Sequence, residues 1–152
     1  MKINVKLAKF IALPWPERRT LLTAIVLLPL FWLGLHCFGL RRLQTWLQRP
    51  EPATATSLSM NEIVRIAALV NGAAALASIP ATCLTRSLLL GWMLRRRGVA
   101  SQLRIGVRMN QGKLDAHAWV EYAGVPINDQ LDVGQRFAAF DEILPPGAFE
   151  SS

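Results

Sequence analysis

The hydrophobic rhythm of the chain changes twice. From Thr20 to Leu40 the stretch TLLTAIVLLPLFWLGLHCFGL carries no charge and is framed by Arg18, Arg19 and by Arg41, Arg42. If helical, a run of this length can cross a bilayer. Pro29, Gly34, His36, Cys37 and Gly39 inside it are poor choices for a lipid-facing span, and the symmetric arginine pairs set no orientation. Two readings stay open. A helical hairpin broken near Pro29 packs its apolar sides on the rest of the chain or on a partner, or residues 20–40 make a membrane contact. His36 and Cys37 read as packing residues, because no third polar ligand accompanies them.

Residues 49–59, RPEPATATSLS, have no apolar period and read as a linker. Helical rhythm then resumes. Ser59 followed by Glu62 has the spacing of a capping box, and Ile63, Ile66, Leu69 and Val70 form one stripe that must end before Pro80. In TCLTRSLLLGWMLRRRG, Thr82 is the expected N-cap and Leu84, Leu88 and Trp92 the buried face. Arg95, Arg96 and Arg97 suit the negative end of the helix dipole, and Gly98 suits its termination.

Beyond Gly98 the period drops to two. Leu103, Ile105, Val107 and Met109 alternate with polar residues, NQG makes a turn, and Leu114 to Tyr122 alternates again. Ala123-Gly124 offers a second turn, from which Val125 to Val133 is expected to return as a third strand. The pattern predicts an α+β arrangement, a helical pair followed by a small antiparallel meander. Its organisation reads as an apolar, basic helical extension over 1–48, the linker over 49–59 and a globular domain over 60–152.

Charge changes this picture by its distribution. Residues 1–50 hold eight Lys/Arg and one acid, 51–110 seven and two, and 111–152 two and seven, giving +7, +5 and −5. A basic front could meet nucleic acid, anionic lipid or an acidic peptide. No zinc-finger spacing, aromatic RNA-binding strand or long basic helix is present, so nucleic acid is not the expected partner. The two cysteines, Cys37 and Cys83, form neither a disulfide framework nor a zinc spacing, which favours a reducing, cytoplasmic setting; neither metal nor cofactor is expected.

Candidate chemistry gathers in the second half. If the turn after Tyr122 is centred on Ala123, directly opposed residues have numbers summing to about 246, which pairs His117 with Asp129 on one sheet face. Asp115 and Asp132 are the other acids within reach. Cys83, in the first turn of its helix, feels the positive end of the helix dipole, which favours thiolate. Thiol, base and orienting acid in this order follow the logic of a cysteine peptidase or acyltransferase.

The run ATCLTRSLLLGWMLRRRGVASQLRIGVRMNQGKLDAHAWVEYAGVPINDQLDV combines CLxRSL, RRRG, LxIGV, AHAWVE and a downstream Asp in order. It resembles the B protein of lasso peptide biosynthesis over residues 81 to about 140. The resemblance implies a papain- and transglutaminase-like core, in which a nucleophile-bearing helix packs on a small antiparallel sheet. It places the nucleophile on Cys83, the base on His117 and the orienting acid on Asp129. It also implies removal of a leader peptide from a ribosomally made precursor, beside a separate leader-recognition protein and an ATP-dependent cyclase. Residues 1–48 are similar to the apolar extension of the stand-alone peptidase subunit. Papain-like enzymes place a glutamine before the nucleophile, and GAAALASIPAT has none. Trp119 is expected to shield the imidazole or line the cleft, and Arg86 to position substrate or pair with an acid such as Glu121. Two alternatives stand beside the peptidase: a non-catalytic scaffold that docks a peptide or partner, and a transglutaminase-type acyl transferase.

Overall fold

The structure, a computed structural model, describes residues 12–47, 57–77 and 79–139. Most of the linker reading, over 49–56, lies outside the described residues. Helix α1 spans Trp15–Leu47, α2 Met60–Leu76 and α3 Cys83–Arg95. Strands β1 (Gln102–Asn110), β2 (Lys113–Tyr122) and β3 (Val125–Pro126), the short helix α4 (Val133–Arg136) and β4 (Ala138–Ala139) complete the order. The fold is α+β: α1, α2 and α3 pack on one another and α3 lies on a small antiparallel sheet, the arrangement of a transglutaminase-like core.

Helix α1 departs from the expected hairpin. Pro29 sits inside the helix and is exposed, and the inner stripe continues past it, with Leu28 and Phe31 both buried. The break is at Gly39, whose φ 75° and ψ 167° lie in a region open essentially to glycine alone. A Cβ on Gly34 would lie 3.4 Å from Leu43 Cδ1. Nine residues of straight helix would separate these positions by ~13 Å, so the chain folds back at Gly39. His36 and Cys37, read as packing residues, are exposed; His36 Nδ1 lies 2.8 Å from its own helix, at Trp32 O. Among the described residues α1 is one helix long and apolar enough to cross a membrane.

Local signals explain where the other helices begin. Ser59 Oγ accepts from the Glu62 amide at 3.3 Å, and the Glu62 carboxylate accepts from the Ser59 amide at 2.8 Å, closing the capping box. Thr82 Oγ1 accepts from the Thr85 amide at 3.2 Å, so α3 starts at Cys83. Leu21, Ala24, Leu28 and Phe31 of α1 share one core with Ile63, Ile66 and Val70 of α2 and Leu89, Leu90 and Leu94 of α3. Arg65 grips Glu17 with two bonds of 2.9 Å, and Arg97 Nη2 donates to Thr20 Oγ1 at 3.2 Å, so both neighbours also hold α1 through polar contacts.

The sheet runs β3-β2-β1-β4, antiparallel throughout. Both hairpin turns have two central residues of positive φ, Gln111 and Gly112 (48° and 78°) and Ala123 and Gly124 (51° and 75°). Such primed turns match the twist of the strands they join. The expected third strand is cut short: β3 ends at Pro126, and the chain leaves the edge, turns through α4 and returns as β4 on the far side of β1. Val120 and Ile127 join the helix-side core, whereas Trp119, Val133, Phe137 and Ala139 form a second one.

Gly39→Ala is expected to cost about 1–3 kcal/mol, since a Cβ is strained at this backbone conformation. Urea unfolding monitored by tryptophan fluorescence measures it; a loss under a few tenths of a kcal/mol contradicts the corner.

Candidate active site

Alternation along β2 puts His117, Trp119 and Glu121 on one face and Ala118 and Val120 on the helix-packed face. His117 Nε2 lies 2.6 Å from Asp129 Oδ2. A carboxylate only accepts, so Nε2–H donates and Nδ1 carries the lone pair of the neutral ring. Asp129 is fixed in turn: its Oδ1 accepts from the Gln130 amide at 2.7 Å and lies 3.6 Å from Arg136 Nη2. Burial pushes the Asp129 carboxyl up, but it is outweighed. The hydrogen bonds from His117 and Gln130 and the electrostatic pull of His117 and Arg136 hold it below its ordinary value of 3.8.

The strand register does not make this pair. Tyr122 opposes Val125 and Glu121 opposes Pro126, so partner numbers sum to 247, and that register continued would set Asp129 opposite Ala118. The loop has two residues, Ala123 and Gly124, and its centre falls between them. The pair forms because the chain leaves the ladder. Ile127 still donates to Val120 O at 3.0 Å, but at the next position a side chain takes over, and Asn128 Oδ1 accepts from the Val120 amide at 2.8 Å.

Asn128 also ties the helix side to this edge. Its Nδ2 donates to Ser87 Oγ at 3.0 Å, and Ser87 Oγ donates to Ala118 O at 3.1 Å. Its own carbonyl accepts from Asn71 Nδ2 at 3.1 Å. Asn128 therefore contacts α3 while the adjacent Asp129 contacts His117. Ser87 is fully buried and one turn beyond Cys83 on α3. Cys83 lies ~6 Å from Ser87 along the helix axis, at the end whose first amides have no partner within the helix. Among the described residues the Cys83 thiol makes no hydrogen bond, so histidine and aspartate are joined and the sulfur is not bonded to either.

Aromatic rings shape the remaining surroundings. His117 stacks on Phe137 with centroids 4.9 Å apart and on Trp119 at 6.3 Å. Trp119 is 1 % exposed and its indole donates to Glu121 Oε1 at 2.8 Å, so it backs the imidazole from a closed core. Gly106, opposite His117, permits this: a Cβ there would lie 3.0 Å from Trp119 Cη2, Phe137 Cβ and Ala138 O. Arg86 does not pair with Glu121, which is held by Trp119 and by Arg104 at 3.3 Å; Arg86 Nε is buried without a hydrogen-bond partner among the described residues. Asp115 pairs with Arg108 at 2.9 Å, and Asp132 with Arg136 at 3.3 Å, so neither serves the imidazole. No cluster of three or more His, Cys, Asp or Glu able to hold a metal occurs among the described residues.

Sequence reasoning missed Ser87, Asn128, Arg136 and Phe137. Ser87 left a signal, a lone hydroxyl entering the apolar run LLLGW; Phe137 left none, because only the return of β4 brings it to His117.

A carboxyl held low by its folded partners adds stability above its ordinary value, and loses it as pH falls from there through the folded-state value. Asp129→Asn is therefore expected to be less stable than wild type at neutral pH, with a gap that narrows as pH drops below 3.8. Denaturant unfolding across acid pH checks this, and a constant gap contradicts it.

The family model described as the transglutaminase-like superfamily matches residues 24–141, more than three quarters of the 152 residues. No curated protein and no solved structure matches the chain. The match runs from within α1 through β4 and takes in every residue of the site, and on it the chain belongs to the transglutaminase-like superfamily.

Proposed function

We propose that the chain is a cysteine endopeptidase that removes the leader from a lasso peptide precursor. The observation that carries the proposal is the 2.6 Å bond from His117 Nε2 to Asp129 Oδ2, tied through Asn128 and Ser87 to the helix that begins at Cys83. Asp129 fixes the tautomer, so Nδ1 is the nitrogen free to take the thiol proton. The Cys83 thiolate attacks the carbonyl joining leader to core, forming an acyl-enzyme on the leader. The proton held at Nδ1 goes to the departing core amine, and water then hydrolyses the thioester. The amide of Cys83 supplies one donor to the oxyanion. A surface groove of about 370 Å³ lined by Val64, Ala68, Asn71 and residues 127–130 leads to Asp129 and offers the substrate backbone a place to lie.

In this reading the chain works in the cytoplasm with a separate leader-recognition protein, and hands the freed amine to an ATP-dependent cyclase. Two observations favour other readings. Membership of the transglutaminase-like superfamily favours an acyl transferase, with an amine replacing water as acceptor. The Cys83 thiol, unbonded to His117, favours a scaffold that docks peptide or partner without chemistry.

One assay separates them. Purified protein is incubated with precursor and recognition protein, and products are weighed by mass spectrometry. The peptidase reading expects a free leader acid and core amine, no product with Cys83→Ala, and a loss of about 10²–10⁴-fold with His117→Ala. A leader joined to an added amine assigns the transferase, and equal processing by Cys83→Ala assigns the scaffold.

A further inference from the structure

Helix α1 is apolar on both sides. Its inner stripe is buried against α2 and α3, as described. On the opposite side Leu22, Val26, Leu30 and Leu33 are 46, 64, 57 and 52 % exposed, at steps of four, four and three that align them, and Phe38 before the corner is exposed as well. Only 22 % of the most apolar stretch of the helix is buried within the chain. No charge interrupts this surface, because residues 20–40 contain none. A helix this apolar all round needs an apolar cover.

The charges that frame the surface indicate the cover. Arg19 at one end and Arg41 and Arg42 beyond the corner are exposed. Glu17, the single acid among residues 1–50, is engaged by Arg65. The result is an apolar strip bounded by cations with no free carboxylate on it, complementary to acyl chains lying under anionic phosphates. The corner at Gly39 adds an apolar cavity of about 610 Å³, with Leu30 and Phe38 shared between strip and cavity, Trp92 on its wall and Arg42 at its border. A span across the bilayer conflicts with the packing, since Leu21, Ala24, Leu28 and Phe31 along the inner side are buried against α2 and α3. Arg65 of α2 and Arg97, just beyond α3, bond Glu17 and Thr20 at the start of the same helix.

We propose that the outer face of α1 docks in plane on an anionic bilayer surface, its leucines and valine entering the acyl boundary, the corner cavity receiving an apolar chain and Arg19, Arg41 and Arg42 meeting phosphates. The proposal is independent of whether Cys83 is catalytic.

Flotation of the full chain with vesicles tests it, using phosphatidylcholine alone and phosphatidylcholine mixed with phosphatidylglycerol. Binding is expected with the anionic vesicles, weakening with salt, and about fivefold with each of Arg41→Gln and Arg42→Gln. Val26→Glu combined with Leu33→Glu is expected to reduce it by at least about tenfold while circular dichroism stays unchanged, since both side chains are more than half-exposed. Alkaline carbonate is expected to release the bound chain. Equal binding to neutral vesicles, unchanged binding of the double variant, or retention after carbonate overturns the proposal. So does a chain that stays off anionic vesicles and sediments as a dimer, which assigns the face to a second copy.

Discussion

The hydrogen bond between His117 and Asp129 is the constraint around which the site is arranged, and it exists because a strand stops early. Had β3 continued along β2, alternation would have sent Asp129 toward Ala118 and covered the strand edge with backbone. By ending at Pro126 the chain frees two adjacent residues to reach opposite sides of that edge, Asn128 to Ser87 on α3 and Asp129 to the imidazole. The hydrogen bonds of Asn128 replace those the ladder gives up, satisfying the Val120 amide and keeping the departure from costing a buried donor. The fixed carboxylate then decides which imidazole nitrogen keeps its lone pair, and in the proposed function that nitrogen serves the helix-borne thiol of Cys83.

Much of the fold was legible because its signals are local. Ser59 with Glu62, and Thr82 before Cys83, are caps that act within one turn, and the change from helical period to alternation at Gly98 marks where sheet replaces helix. Signals that depend on tertiary context were misread. Val125, Ile127, Leu131 and Val133 look like one continuing strand, yet Leu131 is 77 % exposed and Val133 opens α4 and is buried in a separate core with Trp119 and Phe137. Pro29 looks like the break in α1, although a proline on an exposed side is tolerated there; Gly39 folds the chain back because its positive φ admits no ordinary side chain.

The site shows the same division. The types and order of Cys83, His117 and Asp129 could be read from the chain, whereas the register offered for the last two was wrong by one and their contact has a different cause. Ser87 and Asn128 are small polar residues in unremarkable positions, and their role follows only from where the loop turns over the sheet edge. Phe137 comes to the imidazole from the far edge of the sheet, and Gly106 leaves room for it. Around this core, α1 joins the helices by one face and leaves the other apolar and exposed.

The proposed coupling of thiol to imidazole is tested most directly by the rate at which iodoacetamide alkylates Cys83 at neutral pH, in a Cys37→Ser background and read by intact mass. The account predicts fastest labelling with wild-type His117 and Asp129, slower labelling with Asp129→Asn, and at least about a tenfold drop with His117→Ala, since thiolate is the nucleophile. Equal rates in all three would contradict it and leave the helix-borne sulfur without a base.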